Sequence, residues 1–366
     1  MLELVARHPW NTAFVVLGAI VLVLLLLRDQ RAAALMVLGV LVLAQLPQLV
    51  STYVVQLCIS IYANVALATA WAFFSGTTRY ISLATAAFFG IGIYALAILN
   101  AYLPLPLALT GAAVAGFLVA LIVGLSTLRL RGVYFVVFTF GLTELIHQVV
   151  NWWSIKNRAV TRYIFTDASR VQIYEMLLAI ALFAIAASWY VSRTRLGYAL
   201  RAIGEDETVA RHTGIDTTLV KVLCFAASAA VMALVGAVLT LQYPYVDASI
   251  AFNNTWSFEI LIAALLGGPG RPWGPAVGAI PLVLLKDLLV GSLYFTIALG
   301  LCFVAVVYVL PGGVAPLIER WYRTFDAATL RQVLRIGRRP DSWGWPYRLK
   351  LGVKAGMARF NGLWRR

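Results

Sequence analysis

Residues 104–127 read PLPLALTGAAVAGFLVALIVGLST, 24 residues with no charged side chain. Coiled as an α-helix, this run is about 36 Å long at 1.5 Å per residue. Crossing the roughly 30 Å hydrocarbon core of a bilayer takes about 20 apolar residues, so the run can span it. Runs of the same character recur at 11–27, 32–50, 54–73, 81–99, 132–150, 172–192 and 218–241, and a last one at 294–310. Between them lies a broken region, 257–290, interrupted by Gly267-Gly268-Pro269-Gly270-Arg271-Pro272. The expected fold is all-α: a polytopic transmembrane bundle of about 9–11 spans, the count turning on whether the broken region crosses once or twice.

Composition agrees with a bilayer as solvent. Of 366 residues, 62% are hydrophobic and 12% charged. Soluble domains carry about a quarter charged residues. The net charge is +14, and the segment from Glu319 onward contributes +9 of it, with twelve Lys+Arg against three Asp+Glu. A basic segment following the last apolar run fits a cytoplasmic terminus beside anionic lipid, and nucleic acid is not expected as a partner. Expected domains are therefore a transmembrane domain over 1–318 and a basic tail over 319–366. Cys58, Cys224 and Cys302 lie inside apolar runs without metal-ligand spacing and read as small core residues. Near the N-terminus, the first apolar run is followed at once by Arg28-Asp29-Gln30-Arg31 and a second long run, so both read as retained spans rather than a cleaved leader.

Orientation follows from Lys and Arg in the short loops. Counting back from a cytoplasmic tail puts the loop 193–217 inside, provided that 257–290 crosses twice or dips in and returns. The same count puts Arg28–Arg31, Arg79 and Arg129–Arg131 inside. It also puts Lys156, Arg158, Arg162 and Arg170 outside, against the positive-inside trend. Residues 151–171, opening with Asn151-Trp152-Trp153, read as an aromatic interfacial edge followed by an external loop.

The polar loop 193–217, SRTRLGYALRAIGEDETVARHTGID, has a helical pattern and reads as one or two short helices at the membrane surface. Glu205-Asp206-Glu207 suit a helix N-terminus, Arg211 and His212 suit its last turn, and Gly214 supplies a left-handed C-terminal position. Asp216 caps the span that begins at Thr217. With Leu196, Tyr198, Leu200 and Ile203 exposed, the element would dock a partner; otherwise it is a solvated connector.

Four stretches carry a family resemblance. They are Ala86-Ala87-Phe88-Phe89-Gly90-Ile91-Gly92-Ile93-Tyr94, Arg129-Leu130-Arg131-Gly132-Val133-Tyr134-Phe135, the loop from Ala199-Leu200-Arg201-Ala202-Ile203 through Gly214-Ile215-Asp216-Thr217-Thr218 to Lys221, and Leu266-Gly267-Gly268 with Trp273-Gly274-Pro275 after a four-residue gap. Together they resemble the permease subunits of Liv-type branched-chain amino acid ATP-binding cassette importers. The resemblance implies an inner-membrane, multi-pass subunit paired with a homologous second permease, two cytoplasmic ATP-binding subunits and a periplasmic solute-binding protein, with no cofactor. It also implies that the loop is the coupling element, with Arg195, Leu200, Arg201, Glu205, Asp206, Arg211 and Asp216 as its contact positions. One stretch departs from the family. Where the family has Gly-Gln-x-Ser-Leu-Gly-His, this chain has Arg79-Tyr80-Ile81-Ser82-Leu83-Ala84-Thr85, which opens the solute to urea, short amides and other small acids.

Ser82, Thr85, Gly90, Glu144, Gly267 and Gly268 are the candidate pathway residues. Glu144 and His147 share a helix face. An ionised carboxylate at mid-membrane costs about 2.5–3.5 kcal/mol on insertion scales, so the pair is either a functional lining or subunit contact, or an interfacial pair near the end of span 132–150. Lys286 and Asp287 point about 100° apart and read as an interfacial anchor. Gly90, Gly92, Gly111 and Gly116 allow close helix packing, while Gly267, Gly268, Gly270 and Gly274 accompany a helix break of the kind that exposes backbone groups to solutes. Segment 328–339 places Leu330, Val333 and Leu334 opposite Arg331, Arg335 and Arg338, a lipid-surface or ATPase contact.

Function classes separate on engines. No Gly-x-x-x-x-Gly-Lys-Ser/Thr loop occurs, so the chain is not expected to hydrolyse ATP itself. An ion-coupled secondary transporter is the alternative; the apparent scarcity of charge inside the spans speaks against it. A membrane enzyme lacks a constellation: His8, His147 and His212 are scattered and no metal-ligand spacing appears, so neither catalytic nor metal residues are expected.

Overall fold

The computed structural model describes residues 45–130, 132–157, 162–164, 168–289 and 312–316, with isolated positions 43, 297, 300, 301 and 304. The expected span 11–27, most of 32–50 and of 294–310, and the tail with its segment 328–339 lie outside the described residues. Among those described, the chain forms eleven α-helices and one two-stranded ladder. Helix α1 (Thr52–Trp71) runs into a π-helical turn, Ala72–Gly76. Then come α2 (Thr85–Leu99), α3 (Leu105–Thr127) and α4 (Val133–Lys156). Strand β1 (Arg162–Tyr163), α5 (Arg170–Ser192), the short α6 (Arg195–Glu205) and α7 (Glu207–His212), and α8 (Thr217–Thr240) follow. Strand β2 (Tyr245–Val246), α9 (Ala248–Ala251), α10 (Thr255–Gly267) and α11 (Gly274–Leu288) complete the set. Among the described residues, six segments are long and apolar enough to cross a membrane.

Local chemistry sets the boundaries. Ser169 and Gln172 form a reciprocal capping box at the start of α5. Asp216 Oδ1 accepts from the Leu219 amide at 3.0 Å and starts α8. At the end of α10, Gly268 adopts φ +98°, which a side chain would strain. The hexapeptide 268–273 then reverses the chain into α11, so the broken region is a two-legged hairpin. Helix α4 continues to Lys156, six residues past the expected end of its span, because Asn151, Trp152 and Trp153 stay helical. Lys156 and Arg162 lie 5.0 Å from the rings of Trp152 and Trp153.

The bundle has two recognisable ends. At one end lie the π-turn, the loop helices α6 and α7, the close of α3 and the tip of the α10–α11 hairpin; a Cβ on Gly76 would meet the Pro269 carbonyl, and one on Gly204 the Thr77 carbonyl. Residues 312–316 lie there too, Val314 donating to the Leu266 carbonyl at 2.7 Å. At the opposite end are β1 paired with β2, the Gln56–Gln242 hydrogen bond at 2.8 Å, and Tyr53 donating to Asp287.

Helix α8 is the core element, packed against α1, α2, α3 and α5. It gets close through small residues. A Cβ on Gly92 of α2 would sit 1.9 Å from the Ala233 carbonyl oxygen, and one on Gly236 2.2 Å from that of Phe89. Lipid tails supply no hydrophobic drive between helices, so such close van der Waals contact is what holds spans together. Phe225 fills the centre, edge-on to Phe74 at 5.1 Å and Phe88 at 5.3 Å.

Candidate functional site

Two polar constructions interrupt the apolar packing. The first is a seam where helix gives way to extended chain between the π-turn and α2. Ser82, Leu83 and Ala84 are buried yet not helical. Backbone groups in such a place must find partners inside the protein. They do: the Leu83 amide donates to Thr139 Oγ1 at 3.0 Å, and the Leu83 carbonyl accepts from Ser257 Oγ at 2.8 Å and Thr143 Oγ1 at 3.4 Å. Trp71 Nε1 donates to the Ser82 carbonyl at 2.7 Å, and the Ala86 amide donates to Ser257 Oγ at 3.0 Å. Arg79, at the head of this stretch, holds φ +59°. A non-glycine residue there carries about 1–2 kcal/mol of strain.

The second construction roots the loop in the bundle. Along α6, Gly197, Leu200 and Ile203 turn inward while Arg195, Leu196, Tyr198, Arg201 and Glu205 face out. Asp206 caps α7, its Oδ1 accepting from the amides of Thr208 at 2.7 Å and Val209 at 3.2 Å. Glu207 then points into the protein. Its Oε1 meets Lys221 Nζ of α8 at 2.8 Å and Arg211 at 3.0 Å, and its Oε2 accepts from Tyr80 Oη at 2.6 Å. Lys221 Nζ also donates to the Leu128 carbonyl at 3.0 Å and lies 4.7 Å from the Tyr80 ring. One buried ion pair, Glu207 with Lys221, thus ties α7, α8, the foot of α3 and the strained Arg79–Tyr80 stretch together.

Several expectations change here. Leu200 is 1% exposed and Ile203 3%, so they hold the loop down rather than meeting a partner. Only Asp206 and Glu207 of the acidic triplet start a helix; Glu205 ends the one before. Arg211 and Asp216 face solvent but are engaged, as an ion-pair partner and a cap. Arg201 donates to the Ser192 carbonyl at 3.1 Å. Charge inside the spans is not scarce: Lys221 and Glu259 are buried, and Glu259 Oε2 pairs with Lys286 at 2.7 Å. Lys286 is therefore a helix-to-helix tie within the hairpin, and Asp287 accepts from Tyr53.

Sequence reasoning set Glu207 at a helix N-terminus and Lys221 at the end of a family stretch without pairing them, and it passed over Glu259. The signal for Lys221 and Glu259 was a lone charge inside an apolar run, and the pairs Glu207–Lys221 and Glu259–Lys286 lie 14 and 27 residues apart.

The pathway candidates divide. Ser82 and Thr85 are enclosed in the seam, where Thr85 Oγ1 is buried without a hydrogen-bond partner among the described residues. Gly90 lies against Phe252, and Gly267 and Gly268 against the backbone of Gly274 and Gly312. Glu144 alone of the six is exposed, with half of its side-chain surface open.

The chain matches the family model described as branched-chain amino acid transport system / permease component over residues 52–313. It is 27% identical over 286 residues to the high-affinity branched-chain amino acid transport system permease protein LivM of Salmonella typhimurium, covering 66% of this chain and 65% of that one. It is 25% identical over 230 residues to the probable branched-chain amino acid transport permease protein LivM of Methanocaldococcus jannaschii, covering 59% and 64%. It is 28% identical over 131 residues to the ribose import permease protein RbsC of Haemophilus influenzae, covering 33% and 41%. The matched part thus spans about 65% of the length of the first of these relatives. No solved structure matches.

Proposed function

This chain belongs to the family of branched-chain amino acid transport system permease components, and we propose that it acts as the membrane-spanning subunit of an ATP-binding cassette importer for branched-chain amino acids or a related small polar solute. Its partners in this reading are a homologous second permease subunit, two cytoplasmic ATP-binding subunits and a periplasmic solute-binding protein. The loop end of the bundle faces the cytoplasm, in the inner membrane, and α6–α7 is the docking element for an ATP-binding subunit.

The observation that carries this reading is the way the loop is divided between an anchored side and a free side. Glu207, Leu200 and Ile203 hold it to the bundle, while Arg195, Leu196, Tyr198, Arg201 and Glu205 are left outward. A floppy connector absorbs force, whereas an element fixed by buried contacts passes it on. Here the route is short. Glu207 grips Tyr80, Gly204 touches Thr77, and both contacts fall on the stretch that leads straight into the unwound Ser82–Ala84 seam. Movement of α6–α7 by an ATP-driven partner is thereby delivered to the helix break at depth.

Co-expression with the subunits encoded beside it and affinity purification test the docking. The chain is expected to bring down a nucleotide-binding subunit, and the Arg201→Glu plus Glu205→Lys variant to lose it by at least tenfold while remaining in the membrane. Undiminished co-purification by that variant removes α6–α7 as the docking element.

A further inference from the structure

Glu144 occupies a position that neither the helix packing nor the loop explains. It is the twelfth of the 24 residues of α4, about 17 Å along a helix of about 36 Å. The run of α4 to Lys156 is what puts it there; a helix ending near residue 150 would leave it close to an interface. Half of its side-chain surface is open. Gly141, one turn earlier, would carry a Cβ with nothing within 4 Å, and Gln148, one turn later, is exposed. A carboxylate at this depth is poorly tolerated against lipid, so this face of α4 meets water or protein.

The carboxylate is held rather than free to wander. Gln148 Nε2 donates to Oε1 at 2.7 Å, and His147 Nδ1 lies 3.6 Å from the same oxygen. The His147 ring is in turn stacked on Phe252, centroids 6.1 Å apart and planes at 26°. Oε2 receives no bond among the described residues. The preceding residue, Thr143, reaches the Leu83 carbonyl, so Glu144 stands beside the unwound seam. Other acidic groups in the spans are differently placed: Glu175 lies in the second turn of α5, Glu259 is paired with Lys286, and Asp287 is in the last turn of α11. Glu144 is thus the open anionic group at mid-depth among the described residues.

We propose that Glu144 receives the ammonium group of the solute midway across the membrane, oriented by Gln148 and His147, and that the solute is consequently a small zwitterion rather than an uncharged amide or urea. A fixed carboxylate with a vacant oxygen complements a cationic donor, and an uncharged amide gives it no charge to balance. The inference rests on the importer reading for its solute, but the wetness of the α4 face is independent of it.

Two measurements decide it. In a full-length chain with Cys58, Cys224 and Cys302 replaced, in its native membranes, Glu144→Cys is expected to react with a water-soluble cationic thiol reagent at least tenfold faster than Leu145→Cys. Equal or absent labelling overturns the proposal. In the assembled transporter, Glu144→Gln is expected to lower ATP-dependent uptake of a zwitterionic amino acid at least tenfold, Glu144→Asp to recover part of it, and complex assembly to persist. Unchanged uptake overturns the proposal. Loss of assembly, or a cross-link from Glu144→Cys to a second permease subunit, also overturns it and makes this face a subunit seam. If the wild type takes up no solute in an ATP-dependent manner, the importer reading falls, and with it the ammonium assignment, while the labelling still reports whether the face is wet.

Discussion

Helices α4 and α8 are each 24 residues long, both apolar and both long enough to cross a membrane, yet 17 residues of α8 are buried against five of α4. Helix α8 is the more apolar of the two, but hydrophobicity alone does not bury a span, because a lipid tail and a leucine are equally good company for an apolar side chain. Grain size does. Helix α8 carries Ala226, Ala229, Ala233, Gly236 and Ala237 on its buried surface. Helix α4 carries Tyr134, Phe138, Phe140, Trp152 and Trp153 on its exposed one. Small side chains bring backbones together; bulky ones face outward. Polar residues follow the same division, since the charge on α8 is paired and enclosed and the carboxylate on α4 is open.

The sharpest way to break this contrast is to enlarge a glycine on each side of it. Gly92→Leu drives a side chain into the Ala233 carbonyl of α8, backbone that cannot swing aside. The expected loss is about 4–5 kcal/mol, seen as failure to recover folded chain after detergent extraction. Gly141→Leu on α4 meets no atom within 4 Å and is expected to leave recovery unchanged. Equal recovery of the two would mean that the α2–α8 approach does not hold the bundle.

Next in size is the enclosed charge. Lys221→Met leaves the buried Glu207 without the enclosed amine that meets it at 2.8 Å, while Arg211, which also pairs with it, has a side chain that is 59% exposed. Removing one member of a buried pair costs about 3–5 kcal/mol, whereas replacing both partners with apolar or neutral groups costs far less. The double variant Glu207→Gln/Lys221→Met should therefore unfold at a higher temperature than Lys221→Met alone. If the single variant is as stable as wild type, the loop is not rooted through this pair.

How much of this was legible beforehand follows from range. The runs at 54–73, 104–127, 172–192 and 218–241 were readable because helix formation and apolar burial are local, and each observed helix lies within two residues of them at both ends, apart from the π-turn that extends α1. The break at 267–272 was readable from glycine and proline alone, and the Asp216 cap and left-handed Gly214 from residue type. Leu200 was misplaced because an amphipathic surface helix does not announce which apolar residues meet protein. The pairing of Glu207 with Lys221 escaped because it depends on how α7 folds back onto α8. The seam escaped because Thr139, Thr143 and Ser257 come from two distant helices and have no local pattern.

The smallest expected effect probes the outer face of α4 directly. Leu145 is 59% exposed, one residue past Glu144, and Val235 of α8 is fully buried. Val235→Ala opens a cavity in close-packed protein and is expected to cost about 1–2 kcal/mol. Leu145→Ala in the isolated chain exchanges one largely lipid- or detergent-facing apolar side chain for a smaller one, with no enclosed cavity to form, so its cost is expected to stay within about 0.5 kcal/mol. Thermal unfolding of the two variants in the same detergent measures the difference. A loss at Leu145→Ala equal to that at Val235→Ala would mean that the α4 face is already covered by protein in the single chain, and the distinction between a packed helix and an open one would disappear.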